Sequence, residues 1–416
     1  MLLRARWVVP VAAEPIPDGA LCVRDGRIQS VGRWRDLRHL PVTAREDLGE
    51  VIVCPGLVNA HCHLDYTGLA GHLPPQASFT AWIQSIKGAK GLQSPEDVRE
   101  AWRVGAAMLL RNGVTTVGDI EAFPELQPSL VRETGLRVVS FLELIRIRAD
   151  APVEDAVDQG GKWLRDLGEA GLRAGLSPHA PYSTTPLLRR RCAELAVRCG
   201  APVSMHLAES AEEFEMFMAG EGALLEWLAR NGRAVDDCGG RSPVQVAADA
   251  GLLGPRFLAV HVNYLAPGDA ERLAGAGASV AHCPRSHAYF RHQPFPWEEL
   301  RAAGVNVCLA TDSLATVRTT RRRALQLDLF AEARRFRTAH PGVALAELLG
   351  MVTRHPAAAL GMTGEVGILA AGACADLIAV PSAAQSGSPL EGLFEAAGPP
   401  LGTMVGGRWV SRREGS

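Results

Sequence analysis

Pro55-Gly56-Leu57-Val58-Asn59-Ala60-His61-Cys62-His63 is a short apolar run that opens after Pro-Gly and ends in two histidines one residue apart. Bounded by turn residues and too short for a core helix, it predicts a buried strand over 56–60. Side chains two apart on a strand share a face, so His61 and His63 leave its end on the same side, across Cys62. The same grammar recurs downstream, predicting strands at 114–119, 137–142, 172–177, 202–206, 257–261, 278–282 and 305–310. Between them lie stretches of helical periodicity, among them 95–112, 187–199, 210–230 and 319–337. Eight strand–helix repeats predict an α/β fold of the (β/α)8 TIM-barrel type rather than an open doubly wound sheet. No GxGxxG or GxxxxGK[ST] fingerprint opens any of these helices.

Outside this region the texture changes. Segments 6–13, 20–24 and 27–32 are short, alternating and punctuated by turn residues such as Asp25-Gly26, which reads as hairpins. The same texture returns at 375–380 and 402–410, with Gly406-Gly407 as a turn. Both chain ends are therefore expected to pair into one small β-sandwich domain, 1–54 plus 365–416, with the barrel at 55–364.

With 47% apolar and 21% charged residues, the 416-residue chain has the composition of an ordinary globular protein with a sizeable core. A net charge of −2 and the absence of a long basic run argue against a nucleic-acid partner. The local cluster Arg318, Arg321, Arg322 and Arg323 is followed by acidic residues and reads as a solvated helix face. Nine cysteines without a CxxC pair argue against a disulfide framework and for a reducing, cytoplasmic setting. The first residues are interrupted by Pro and acidic side chains before a signal-peptide core can form, and no run reaches the roughly 18–20 apolar residues of a membrane span.

The residues able to do chemistry fall at predicted strand ends, where a barrel builds its active site. His61 and His63 end the first strand, His179 follows the fourth, His206 ends the fifth, His261 the sixth, and Asp312 follows the eighth. Imidazoles suit zinc or iron, and His61, His63, His206 and the Asp312 carboxylate leave a coordination position open for water, as a catalytic site requires. Each element alone has a blander reading. An HxH pair can be two unrelated histidines, His206 can be a satisfied core histidine, and Asp312-Ser313 can cap a helix. Their joint placement favours a metal.

The opening stretch resembles the first-strand signature of the amidohydrolase superfamily. Met205-His206-Leu207-Ala208-Glu209, His261 and Thr311-Asp312-Ser313 resemble its later motifs in the same order. Within it the chain is similar to the chlorohydrolases and aminated-ring deaminases, whose HxxE pattern is matched by His206 and Glu209. Binuclear members use a carboxylated lysine at the end of strand four, but Lys87, Lys90 and Lys162 all lie elsewhere. One divalent metal is therefore expected, zinc first, with iron and manganese as alternatives. The resemblance implies that Asp312 binds the metal and accepts the water proton, Glu209 protonates a ring nitrogen and then the leaving amine, and His261 orients or polarises the nucleophile. Glu209 can alternatively be an exposed member of the acidic run with Glu212 and Glu213.

Substrate contacts follow from further likenesses. Ser177-Pro178-His179-Ala180-Pro181-Tyr182 resembles a substrate-contacting loop after strand four, making His179 a candidate hydrogen-bond partner, or else a loop-packing residue. Phe79, Trp82 and Ile83 form either an apolar lid over a flat ring or one packed helix face. Cys283-Pro284-Arg285-Ser286-His287 resembles the strand-seven loop, with His287 where many members have Asn; Ser286 and Ser313 join the candidate contacts. The segment from His63 through Trp82 is similar to 6-amino-6-deoxyfutalosine deaminases of the menaquinone pathway, with Asp65 where Glu is frequent. Glu143, Arg146 and Arg148 are read as recognising substrate hydroxyls or a carboxylate, or as surface charges. The expected activity is hydrolytic deamination of an aminated purine, pyrimidine or nucleoside derivative. The alternatives are hydrolysis of a chlorinated ring or cyclic amide, and an inactive barrel kept as a scaffold. A small heterocyclic substrate and a symmetric homodimer complete the expectation.

Overall fold

The computed structural model describes residues 1–148, 150–318, 325–382, 388–396 and 398–413. The chain opens with β1 (Leu2–Val8), β2 (Ile16–Arg24), β3 (Arg27–Arg33), β4 (Arg45–Asp47) and β5 (Val51–Pro55). Asp25 and Gly26, with φ of +51° and +72°, form the two-residue link between β2 and β3. Positive φ at both central residues gives the turn whose twist suits a hairpin.

The barrel strands are β6 (Leu57–Cys62), β7 (Val114–Glu121), β8 (Arg137–Leu144), β9 (Arg173–Pro178), β10 (Val203–Leu207), β11 (Phe257–His261), β12 (Ser279–His282) and β13 (Asn306–Leu309). They run parallel in chain order. A parallel bridge from Cys62 to Asp312 joins the first strand to the segment after the last. That closure brings the first-strand histidines and the eighth-strand carboxylate to one place. The chain ends with β14 (Leu377–Pro381), β15 (Gly402–Val405) and β16 (Arg408–Arg412).

The two chain ends form one continuous sheet in the order β16-β15-β14-β5-β1-β2-β3, with β4 also beside β1. β1 changes partner along its length, taking β4 at Leu2–Arg4 and β5 at Trp7–Val8. Leu3, Leu21, Ile28, Val53, Leu377 and Met404, from both arms of the sheet, share one apolar core.

Alternation sorts the barrel strands into two environments. On β8, Val138, Leu142 and Leu144 pack outward against the helices, whereas Val139 and Phe141 pack with Val58 and Ile120. β6 departs from simple alternation. Val58 and Ala60 point into interior clusters, yet His61 and His63 face the barrel mouth; a register shift between Asn59 and Cys62 changes the parity. Such irregularities re-aim side chains at barrel rims.

The helix Pro95–Arg111 is well announced in sequence, because Ser94 and Asp97 form a reciprocal capping box with Pro95 at the first helical position. The helix expected over 210–230 is two helices, Ala211–Ala219 and Ala223–Arg230, broken where Gly220 and Gly222 take φ of +73° and +104°. Of the stretch 319–337, residues 319–324 lie outside the described residues, and a helix spans Leu329–Ala339. Arg321, Arg322 and Arg323 of the basic cluster therefore also lie outside them, while Arg318 donates to the Tyr289 carbonyl at 3.3 Å.

Candidate metal centre

The C-terminal ends of β6, β10 and β11, with the segment after β13, converge on a buried cluster. Among the described residues, His61, His63 and His206 form one trio, and His61, His261 and Asp312 a second, with ligand atoms within 4.8 Å of one another in each. His63 Nε2 lies 3.2 Å from His206 Nε2. Asp312 Oδ1 lies 3.6 Å from His61 Nε2 and 3.8 Å from His63 Nε2. Ligands about 2.0–2.1 Å from a tetrahedral ion stand about 3.3 Å apart, so these separations suit one ion.

Hydrogen bonding sets the ring orientations. His206 Nδ1 faces the His179 carbonyl at 3.0 Å, which assigns the proton to Nδ1 and leaves the Nε2 lone pair to the cluster. Both nitrogens of His61 are buried without a hydrogen-bond partner, an arrangement that costs free energy unless something binds them. Burial pushes the imidazoles of His63, His206 and His261 well below the usual histidine range. Burial alone would raise the Asp312 carboxyl, but His61, His261 and His63 outweigh it and the net shift is downward. Three neutral imidazoles and a carboxylate are the protonation states a divalent cation needs.

Glu209 is buried with its Oε1 3.6 Å from His261 Nε2. Burial pushes its carboxyl well upward, and Asp312 and Glu213 add to the effect. A buried carboxyl with a raised pKa is suited to proton transfer. Its backbone is fixed by Glu213, which accepts its N–H at 2.8 Å, and by Asn263 Nδ2, which donates to its carbonyl at 2.9 Å.

The surrounding backbone is strained. Ala208, His261, Val262 and Asp312 all have positive φ, between +46° and +77°. For non-glycine residues this costs on the order of 1–3 kcal/mol each and persists only where neighbours enforce it. Val262 N donates to Leu207 O and Asn263 N to Ala208 O, each at 2.9 Å, tying the two strand ends together.

The other candidate contacts divide into two groups. His179, Glu143, Ser286 and Ser313 are buried or nearly so around the cluster strands; the hydroxyls of Ser286 and Ser313 have no protein partner. His179 and His206 have ring centroids 4.8 Å apart, and Glu143 Oε1 lies 3.9 Å from His179 Nε2. Trp82 packs edge-on against Phe290 and stacks on Phe79, so this segment is an aromatic cluster shared by several loops. His287 Nδ1 lies 3.0 Å from Asn263 Oδ1, next to the carbonyl contact that holds Glu209. Arg148 is not brought to the cluster: it is two-thirds exposed and forks onto Asp150 at 2.7 and 3.0 Å. Arg146 likewise turns to the carbonyls of Ile145 and Pro152. Strand parity separates them, since Glu143 follows Val139 and Phe141 on the inward face and the two arginines lie in the loop beyond.

Three features go beyond the sequence reading. Asp119 is fully buried and accepts from Leu64 N at 3.0 Å, Trp102 Nε1 at 2.7 Å and Gln127 Nε2 at 3.3 Å, fixing the chain just after His63. Glu212 accepts the N–H groups of Phe79 at 2.6 Å and Thr80 at 3.1 Å, clasping the helix Phe79–Lys90 to the first turn of the helix Ala211–Ala219, which follows Glu209. Lys90 sits among Tyr66, Asp65 and Glu143.

A (β/α)8 barrel with a histidine- and carboxylate-lined mouth defines the class, and the chain belongs to the amidohydrolase family, which matches residues 52–410. A 5-methylthioadenosine/S-adenosylhomocysteine deaminase of Syntrophobacter fumaroxidans is 31% identical over 379 residues, 87% of this chain and 80% of the relative. An aminodeoxyfutalosine deaminase of Deinococcus radiodurans is 31% identical over 318 residues, 73% of each chain. Among solved structures, a zinc-bound adenosine deaminase from Xanthomonas campestris superposes with a TM-score of 0.84 at 26% identity, covering 98% of this chain and 92% of that one.

Proposed function

We propose that the chain is a zinc-dependent hydrolytic deaminase acting on an adenine-type nucleoside derivative. Its natural substrate is a 5′-modified adenosine of the kind named for the two curated relatives, 6-amino-6-deoxyfutalosine included. The observation that carries the reading is Glu209, a buried carboxyl whose Oε1 lies 3.6 Å from His261 Nε2 beside the candidate ligands and whose pKa burial raises. Chlorohydrolases share the HxxE glutamate, so Glu209 supports proton transfer to a ring nitrogen, and it is the deaminase relatives that favour an amine over chloride as the leaving group.

His61, His63, His206 and Asp312 would hold the ion, with the unpartnered His61 nitrogens as the sign that these residues fit it. A divalent ion there would supply the Lewis acidity that lowers the pKa of water toward neutrality. Asp312 takes the proton from the attacking water, and Glu209 donates to the ring nitrogen next to the aminated carbon. As the carbon–nitrogen bond breaks, the emptied Glu209 takes the proton of the newly added hydroxyl and passes it to the departing nitrogen, which leaves as ammonia while the carbonyl forms; the proton held by Asp312 then returns to Glu209. His261, 3.6 Å from Glu209, orients the water. The complete set of ligands and acid speaks against an inactive scaffold barrel.

A place in menaquinone synthesis, a symmetric homodimer and a cytoplasmic location belong to the same proposal. Nine unpaired cysteines suit a reducing compartment, and no described helix is long and apolar enough to cross a membrane.

The test is ammonia release by zinc-loaded protein from 5′-methylthioadenosine, S-adenosylhomocysteine, adenosine and 6-amino-6-deoxyfutalosine. Glu209→Gln is expected to keep its zinc and lose at least about a hundredfold in rate. Full activity in that variant, or product from halogenated rings or cyclic amides alone, would overturn the reading.

A further inference from the structure

Asn59 stands two residues before His61 in the opening sequence motif, and the chemistry above gives it no part. It is fully buried on β6, at the seam where the first barrel strand meets the last. β6 and β13 are not paired in the sheet. Their main-chain donors turn elsewhere: Val58 N donates to the Val352 carbonyl, Leu309 N to the Met351 carbonyl and Ala310 N to the His282 carbonyl on β12, each at 2.9 Å. Near the mouth the seam is crossed by a long bond from Asp312 N to the His61 carbonyl, 3.3 Å, by the Cys62 thiol, 3.4 Å from the Asp312 carbonyl, and by the Asn59 side chain.

The Asn59 carboxamide spends both its ends on one residue. Thr311 N donates to its Oδ1 at 3.0 Å, and its Nδ2 donates to Thr311 Oγ1 at 2.7 Å. A backbone N–H can meet only an acceptor, so the amide has one admissible orientation here. With Oγ1 accepting from Asn59, the Thr311 hydroxyl proton is left for the Asp312 carbonyl at 3.2 Å. Asn59 thus reproduces with a side chain the acceptor and donor that a neighbouring strand would offer, and it does so at the residue next to Asp312. Thr311 is fully buried as well, so its N–H has no water to turn to. Asp312 itself is held at a φ of +53°, which a non-glycine residue keeps only under constraint.

We propose that Asn59 is a positioning residue for Asp312: its carboxamide stands in for the missing ladder between the first and last strands and so sets the place of the Asp312 carboxylate relative to His61 and His63. The inference rests on Asp312 being a metal ligand, as read above. It goes beyond that reading by assigning the placement of the eighth-strand end to a side chain of the first strand. A residue that only filled the core would change stability and leave the surroundings of the metal as they are.

The experiment compares wild type with Asn59→Ala, Asn59→Asp and Thr311→Val, and takes Leu167→Ala, a buried position on the helix Glu154–Glu169, as a destabilised control. Three quantities are read: zinc affinity by chelator competition, the visible absorption of the cobalt(II)-substituted proteins, which reports ligand geometry, and the melting temperature. Asn59→Ala should lower zinc affinity by about tenfold to a hundredfold, the usual cost of losing a group that orients a ligand, and change the cobalt spectrum. Asn59→Asp keeps an acceptor opposite Thr311 N and should recover most of that affinity. Thr311→Val keeps the bond to Oδ1 and loses only the hydroxyl, so zinc should weaken by about threefold to tenfold. Leu167→Ala should lower the melting temperature with zinc affinity and cobalt spectrum unchanged. Wild-type affinity and spectrum in folded Asn59→Ala overturn the proposal, as does an equal spectral change in Leu167→Ala. If Asn59→Ala does not fold, Thr311→Val carries the test, and wild-type affinity and spectrum there overturn it. A wild type that binds no zinc overturns the ligand reading and the proposal together. No measurement needs turnover, so the deaminase reading is judged separately, by ammonia.

Discussion

Replacing Asp119 should destabilise the fold and loosen the metal together. This carboxyl is fully buried and accepts from Leu64 N, Trp102 Nε1 and Gln127 Nε2. Asp119→Ala strands the Leu64 and Trp102 donors in the interior at about 1–3 kcal/mol each, or about 2–6 kcal/mol in total. Asp119→Asn is milder. Its amide oxygen keeps one donor, and Gln127 can turn its unpartnered Oε1 toward the new NH2, leaving one orphan at about 1–3 kcal/mol. Because Leu64 follows His63 directly, zinc affinity should fall by about tenfold or more in Asp119→Ala, the usual cost of losing a group that orients a ligand. Urea unfolding of the zinc-free proteins gives the first quantity, and competition with a chromophoric chelator the second. Asp119→Ala within 1 kcal/mol of wild type, or with wild-type zinc affinity, would refute the reasoning.

Zinc removal should lower the melting temperature in proportion to the zinc lost, since an ion that binds only the folded chain contributes about 2.7 kcal/mol at a hundredfold excess over its Kd; an unchanged Tm after dialysis against chelator would count against the ligand set. Burial pushes the Glu213 carboxyl from 4.5 up to about 8. A raised folded-state pKa gives stability that is full below about pH 4.5 and gone above about pH 8. Wild type should therefore lose Tm from pH 5 to 8 more steeply than Glu213→Gln, and parallel curves would contradict this. Glu212→Ala releases two backbone donors and the Thr80 hydroxyl at the start of the helix Phe79–Lys90, at about 1–2 kcal/mol. Amide exchange at residues 79–82 should accelerate by roughly tenfold with a higher KM, whereas unchanged exchange would show that Glu212 does not hold the helix.

Much of the fold was legible because its signals are local. Strand ends, capping residues and the Asp25-Gly26 turn are written within a few positions of where they act. The clustering of His61, His63, His206 and Asp312 was legible for a related reason: a barrel converts the end of each strand into one shared location, so position along the strand stands in for distance. What was not legible depends on contacts across the mouth. Lys90 and Glu143 are separated by 52 intervening residues, and only barrel closure shows that the lysine answers Asp65 and Glu143 rather than solvent. Arg148 looked equivalent to Glu143 in sequence, but it lies past the strand, where alternation no longer applies. Gly220 and Gly222 did carry a signal, since two glycines around Glu221 mark a break that helical periodicity alone overruns.

The pairing of β5 with β14 has a consequence for how the protein is made. Roughly 320 residues separate these partners, and at about 5–20 residues per second a ribosome needs on the order of 15–60 s to span them. Through that interval the nascent N-terminal hairpins expose β5 as an open edge of five residues that are all buried in the finished sheet. Such an edge can recruit a strand from a neighbouring polypeptide. Yield on overexpression should therefore depend on translation speed and on chaperones that shield the waiting edge, even if the mature barrel is robust.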